Sequence, residues 1–377
     1  MPSFPLSLRL VAAPLWALAL GRELLLTRAR PLVELHLGGR HGLPDARALL
    51  ALADAEDVRG LHVTVDGLAE GWATLAAARE ALSAVRRSGK FVSFELEHCG
   101  NAELYLASVG DRVWIRPMVQ VQALGVAATL RFAGDALERL GLSFDLESAG
   151  EYKSFGETFT RAWASPENRE AIAEVVDGLE RELEEGIAAG RRLSVEAVRA
   201  AIHDGPLDAE EAHRRGLVDG VAYADAIRKD LDAIFGEKDT PRLSFARWAR
   251  AHLARVRLER WTEGRRRVAV LHLAGNVVDG EGGPGAPVIA ARPTVEKLVQ
   301  LAEDDSVGGV VLHIRSPGGS ATASDVIWRA AAELGRKKPV VAVLGDVAAS
   351  GGYYIAVAAT EILVGPNTLT GSIGVVG

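Results

Sequence analysis

The chain has 377 residues, a formal net charge of −7, 48% hydrophobic residues and 25% charged ones. That length exceeds one ordinary core, so two globular domains are expected, and the acidic balance argues against nucleic acid as the main partner. Cys99 is the only cysteine, which excludes an intrachain disulfide and a cysteine-based zinc site.

Residues 10–21 form an apolar run that follows Arg9, is interrupted by Pro14 and meets Arg22 and Glu23 at its end. A helix needs roughly 20 apolar residues to cross a bilayer, and this run is shorter. Residues 1–30 read either as a signal or membrane-anchor segment or as an apolar helix packed on the domain.

From residue 33 onward the chain repeats itself. The strand-like run 33–37 (VELHL) is matched at 269–273 (AVLHL), an offset of 236. Runs at 60–65 (GLHVTV), 104–107 (LYLA) and 124–126 (LGV) are matched 249 residues later, and Lys90 with its following strand is matched at Lys338 with a one-residue slip. The difference of 13 between the two offsets falls in residues 275–290, a Gly-rich loop that the first copy lacks. Short apolar runs at 61–65 and 310–314 suit buried parallel strands, and 74–87 and 323–334 read as intervening helices. Strand, helix, strand, helix, strand predicts parallel βαβ units in each copy. The expected domains are a first copy at 31–235, a basic helical linker at 236–267 and a second copy at 268–377.

Between the copies, Ser165 followed by Pro166 makes a helix start, with serine as N-cap and proline at the first helical position. The charged helix runs to about Gly190. A basic stretch at 242–267 carries Phe245, Trp248, Leu253, Val256 and Trp261 among arginines. It reads as a membrane-surface helix or, more simply, as a linker helix packing its aromatic face on a domain.

Candidate chemistry lies in the second copy. Ser316-Pro317-Gly318-Gly319 directly follows the 310–315 strand, at the strand end where α/β sheets bind ligands. Its glycines allow close backbone approach and can aim N–H groups at a substrate, as an oxyanion hole requires. The second turn is Ala348-Ala349-Ser350-Gly351-Gly352, after the 340–344 strand. Ser350, flanked by small residues at a strand-to-helix junction, is sterically open and sits where helix N–H groups favour developing negative charge. At the offset of 249, Ser350 falls over Asn101 and Gly351-Gly352 over Ala102-Glu103, while Ser316 to Gly319 fall over Gly67 to Glu70. A purely structural requirement would mark both copies alike, so Ser350 points to function.

A serine nucleophile needs a neighbouring base. His36, His62, His272 and His313 lie within strand-like runs, and no histidine follows Ser350. His203, His213 and His252 remain as residues that would have to fold back. A lysine held neutral by burial is the alternative.

Ser316-Pro-Gly-Gly, Ala349-Ser350-Gly-Gly-Tyr-Tyr and Thr370-Gly-Ser-Ile-Gly-Val resemble bacterial signal peptide peptidase A, the protease IV family, in its long tandem form. Residues 205–219, with Ala209-Glu-Glu-Ala and Gly216-Leu-Val-Asp, are similar to the motif closing that family's first domain. The resemblance implies an α/β fold of two tandem Clp protease/crotonase-like domains with parallel sheets. It implies a serine endopeptidase with a Ser/Lys dyad, no cofactor and no metal. Ser350 would be the nucleophile and Lys153, in Glu151-Tyr152-Lys153-Ser154, the general base 197 residues earlier. Ser372 would orient the lysine, Gly318 and Gly351 would donate the oxyanion N–H groups, and Gly319 would touch substrate. The family's long form continues past the position of Gly377, so the second copy is expected to be incomplete. Substrates would be cleaved signal peptides and other unfolded segments. A ring-like, tetramer-like homo-oligomer at the outer, periplasmic face of the bacterial inner membrane is implied. Two other classes fit the residues less fully: a crotonase-like acyl-CoA enzyme, which needs no serine nucleophile, and a non-catalytic assembly module.

Overall fold

The computed structural model describes residues 30–39, 42–263, 266–283, 285 and 287–375, with side chains in the 245–263 helix described as far as Val256. Apart from Arg30, the signal or anchor segment expected at 1–30 lies outside the described residues, as does the Trp261 side chain. Among the described residues, no helix is long and apolar enough to cross a membrane.

The described residues form two compact units. The first comprises the chain up to Glu70, Leu75–Gly125 and Arg181–Gly264; the second comprises Gly71–Thr74, Val126–Glu180 and Arg265–Gly377. Chain order and spatial grouping therefore differ. Residues 126–180, assigned by sequence order to the first copy, group with the second unit, and most of the 236–267 segment groups with the first. The reason for the latter is local: Phe245, Trp248 and Ala251 on one face of the Phe245–Glu263 helix are buried, which is the packing of a linker helix on its domain. Arg255 on that helix pairs with Asp57 at 3.4 Å.

The first unit holds six strands: β1 (Leu32–Gly38), β2 (Gly60–Asp66), β3 (Phe91–Leu96), β4 (Arg112–Ile115), β5 (Gly220–Val221) and β6 (Arg242–Ser244). Their order is β5-β4-β3-β2-β1-β6, and every pairing is parallel. Leu61, Val63, Val65, Val92, Phe94 and Leu96 alternate along β2 and β3 and are fully buried, while the intervening positions carry the buried polar residues His62, Ser93 and Glu95.

The second unit holds β7 (Arg267–Ala274), β8 (Asn276–Val278), β9 (Val288–Ala290), β10 (Val307–Ser316), β11 (Val340–Ala349), β12 (Glu361–Val364) and β13 (Leu369–Gly371). The main sheet runs β12-β11-β10-β7, with β13 also pairing β11, and again all pairings are parallel. Val310, Leu312, Ile314, Val340, Ala342 and Leu344 form its core with Ala323, Ile327, Ala331 and Leu334 of the Ala321–Lys337 helix. Ser320 caps that helix, its hydroxyl accepting the Ala323 N–H at 3.2 Å. The Gly-rich segment after β7 forms the small parallel pair β8–β9.

One contact occurs in both units. Lys90 Nζ donates to Ala53 O at 2.7 Å, at the end of the Ala46–Asp54 helix. Lys338 Nζ donates to Leu301 O at 2.7 Å and Asp304 O at 2.6 Å, at the end of the Ala291–Glu303 helix. A cation at the carboxyl end of a helix meets carbonyls without intrahelical partners.

Candidate active site

Strand β11 ends at Ala349, and a helix starts at Gly351. Ser350 makes the reversal between them with φ 50° and ψ −117°. A non-glycine residue with positive φ costs about 1–3 kcal/mol and persists only where its surroundings fix it. Here the Ser350 N–H donates to Gly371 O of β13 at 2.9 Å, and its C=O accepts the Tyr354 N–H at 2.8 Å.

The following glycines are required by packing. A Cβ on Gly351 would stand 2.4 Å from Ser324 Oγ, and one on Gly352 would stand 2.9 Å from Ser316 O. The start of the helix is thereby pressed onto β10 and the Ala321–Lys337 helix.

The Gly318-Gly319 turn lies directly against this junction. A Cβ on Gly318 would stand 2.7 Å from Ser350 Cβ and 2.8 Å from Gly351 N. Gly318 and Gly319 have φ of 105° and 149°, conformations that favour glycine. The turn is clamped by β8: Val277 N–H donates to Gly318 O, and Ser320 N–H donates to Val277 O, each at 2.9 Å. Gly319 lies so close to Val277 that a Cβ would meet Val277 O at 2.2 Å. The Gly318 N–H, expected as an oxyanion donor, instead donates to the buried Ser316 Oγ at 3.1 Å. Two neighbouring N–H groups, those of Gly319 and Gly351, have no acceptor among the described residues.

Lys153 precedes a short 3-10 turn, Ser154–Gly156. Its Nζ lies 3.3 Å from Ser350 Oγ and donates to Ser372 O at 2.5 Å and Ser372 Oγ at 2.8 Å. Burial lowers its pKa from the ordinary 10.5 by penalising the charged form. A neutral amine has two hydrogens and one lone pair. A neutral Lys153 with both hydrogens on Ser372 would have its lone pair free to accept the Ser350 hydroxyl proton. Ser372 itself has φ 49°, and Ala149 N–H donates to Val375 O at 3.3 Å, so the lysine segment and the Ser372 segment run side by side.

The structure thus brings together Ser350, Lys153, Ser372, Gly318, Gly319 and Gly351, all within the second unit. The histidines are engaged elsewhere: His62 Nδ1 lies 2.9 Å from Ser93 Oγ, His213 Nδ1 lies 3.2 Å from Val218 O, and His252 stacks on Trp248. Among the described residues, no group of three or more His, Cys, Asp or Glu side chains is arranged to hold a metal ion. Sequence reasoning missed Val277 and Ser324. The first had a signal, because residues 275–290 are the insertion found only in the second copy. The second had none beyond being four residues after Ser320, whose C=O its hydroxyl donates to at 2.8 Å.

Comparison with known proteins gives this arrangement its context. A family model described as peptidase family S49 matches residues 85–235 and 332–377, together more than half of the chain. A protein of Arabidopsis thaliana named serine protease SPPA, chloroplastic, is 30% identical over 329 residues, covering 85% of this chain and 47% of that one. Protease 4 of Salmonella typhi is 33% identical over 311 residues, covering 79% and 49%. Protease 4 of Haemophilus influenzae is 28% identical over 307 residues, covering 78% and 49%. The chain spans about half the length of the curated relatives it matches. Among solved structures, a ClpP1 mutant from Listeria monocytogenes overlaps 27% of this chain at 20% identity with a TM-score of 0.20, too little to bear on function. On the family match and the relatives, the chain belongs to peptidase family S49.

Proposed function

We propose that the chain carries the active site of a serine endopeptidase in which Lys153 is the general base for Ser350. The observation that supports this most is the 3.3 Å approach of Nζ to Ser350 Oγ with both donor bonds of the amine directed at Ser372. Neutral Lys153 takes the hydroxyl proton as Ser350 attacks a peptide carbonyl, and returns it to the departing amine. The Gly351 N–H and the open N–H of the Gly318-Gly319 turn face the developing oxyanion. Each such donor is worth roughly 3 kcal/mol of barrier. Water then attacks the acyl-enzyme, with Lys153 again accepting the proton.

The proposed substrates are extended, unfolded peptides, including cleaved signal peptides. The proposed setting is a homo-oligomer at the outer face of a bacterial membrane. Family membership and the names of the relatives support a peptidase over a crotonase-like acyl-CoA enzyme.

The test compares the full-length protein on a fluorogenic peptide and on an acyl-CoA thioester. Peptide hydrolysis with a covalent adduct of a mechanism-based inhibitor on Ser350 is expected. Turnover of the thioester alone, or peptide hydrolysis undiminished in Ser350→Ala, would refute the reading.

A further inference from the structure

The amine of Lys153 is useful only if the backbone beneath it is fixed, and the segment carrying it has few buried apolar anchors. Tyr152 and Phe155, on either side of it, are exposed, as is Phe144, whose ring lies tilted 5.4 Å from that of Phe159 in the same segment. No residue of the Gly134–Arg139 helix, which bonds to residues 158 and 161, is buried. Hydrophobic burial therefore does little to hold the lysine turn.

A polar latch does so instead. The 3-10 turn after Lys153 runs straight into Glu157–Thr160. The Glu157 side chain is only 12% exposed, and its Oε2 accepts the Ser165 N–H at 3.1 Å and the Asn168 Nδ2–H at 2.9 Å. Both partners are buried, and Ser165 Oγ in turn accepts the Asn168 N–H at 3.1 Å. Ser165 and Asn168 stand at the N-cap and third positions of the Pro166–Arg191 helix. In a capping box the third residue is an acid that reaches back to the N-cap N–H. Here the third residue is Asn168, and Glu157 supplies the missing acceptor from the neighbouring turn. Burial alone would raise the Glu157 pKa, but the bonds from Ser165 and Asn168 outweigh it and hold the group ionised below its ordinary value. Arg161, 4.0 Å away, adds to this.

We infer that Glu157 is a positioning residue for the general base: it clips the Lys153 turn to the start of the Pro166–Arg191 helix and so sets the distance from Nζ to Ser350. This rests on the dyad reading above. It adds a residue that touches neither substrate nor Ser350, and it differs from simple helix capping in predicting a change in the lysine's titration.

The test uses the full-length protein, with kcat and KM for a fluorogenic peptide measured across pH in Glu157→Ala, Glu157→Gln, Asn168→Ala and Lys153→Ala. Glu157→Ala is expected to lower kcat by about 100-fold, the loss that follows a misplacement of about 1 Å, with KM changed less than about threefold. A released amine is better hydrated, so the acid limb of kcat moves to higher pH. Glu157→Gln keeps an oxygen for both donors and is expected within about fivefold of the parent, with the limb unmoved. Asn168→Ala removes one of the two bonds and shifts the limb the same way by less. If Glu157→Ala does not fold, the limb of Asn168→Ala decides. Parental kcat and an unmoved limb, or a loss in Glu157→Gln equal to that in Glu157→Ala, would overturn the inference. Lys153→Ala separates the two levels: activity retained there refutes the dyad, whereas an inactive Lys153→Ala beside an unaffected Glu157→Ala refutes only the positioning role.

Discussion

The turn at Ser350 and the turn at Asn101 answer one another at an offset of 249 residues, yet they end in opposite chemistry. In the first unit, Glu103 sits in the opening turn of the Asn101–Ala107 helix, 3% exposed, and its carboxylate accepts the Gly100 N–H at 2.8 Å and the Leu68 N–H at 2.6 Å. Asn101 is spent on a reciprocal pair of bonds with the backbone of Gly125. The Leu68 and Gly100 N–H groups are thus filled by the chain's own anion. In the second unit the position of Glu103 is Gly352 and that of Asn101 is Ser350. The Leu68 and Gly100 N–H groups have as counterparts Pro317, which has no N–H, and Ala349, and among the described residues no carboxylate bonds the backbone of this turn. One arrangement of strand end and helix start thus holds a buried carboxylate in the first unit and a bare glycine at the same position in the second.

The largest effect expected from this comparison comes from crowding the second unit's turn. Gly351→Ala places a Cβ 2.4 Å from Ser324 Oγ, which displaces the proposed oxyanion donor and should lower kcat by about 10²–10³-fold. Ser324→Ala in the same chain removes the obstructing hydroxyl and should restore much of the loss. Failure of the second change to help, with both variants folded, would break the proposed role of the contact.

The next effect is in pH. Because only the neutral amine accepts a proton, kcat/KM should rise about tenfold per pH unit below the Lys153 pKa and level off above it. Burial lowers that pKa, so the plateau should begin below 10.5. A limb that moves into the histidine range in the parent and survives in Lys153→Ala would point to another base. Linkage carries the same sign: the unfolded chain binds more protons between the two lysine pKa values, so stability rises with pH there, and Lys153→Met should abolish that dependence.

In the first unit's turn the effect should fall on stability alone. Glu103→Ala leaves the Gly100 and Leu68 N–H groups without their acceptor and should cost about 1–3 kcal/mol in denaturant unfolding. The kcat per folded molecule should stay at the parental value. A matching loss of kcat would show that the first unit does more than hold itself together. Smallest of all, Lys90→Met and Lys338→Met should each cost about 0.3–1 kcal/mol, since each removes a cation from a helix carboxyl end. Very unequal costs would weaken the parallel between the units.

Much of this was legible in the sequence, because the signals were local. Parallel strands announced themselves through runs such as 310–314, the Ser165-Pro166 helix start is where the structure has it, and Ser350 stood out against Asn101. What was not legible depended on which distant segments meet. Residues 126–180 follow the first copy in the chain yet pack with the second unit, because their backbone runs beside residues 372–375 and no local pattern encodes that pairing. The commitment of the Gly318 N–H to Ser316 Oγ is equally invisible, since it turns on a side-chain rotamer inside a motif whose glycines suggest only that N–H groups can face a substrate. Glu157 reads in sequence as one acid among many.

The most direct test of the central claim is a double-mutant cycle on kcat/KM for peptide hydrolysis, using Ser350→Ala, Lys153→Ala and the pair in the full-length protein. If the two groups act as a unit, each single change should cost on the order of 10⁴–10⁶-fold and the double should cost no more than the worse single. Losses that multiply, or substantial activity left in Lys153→Ala, would contradict it.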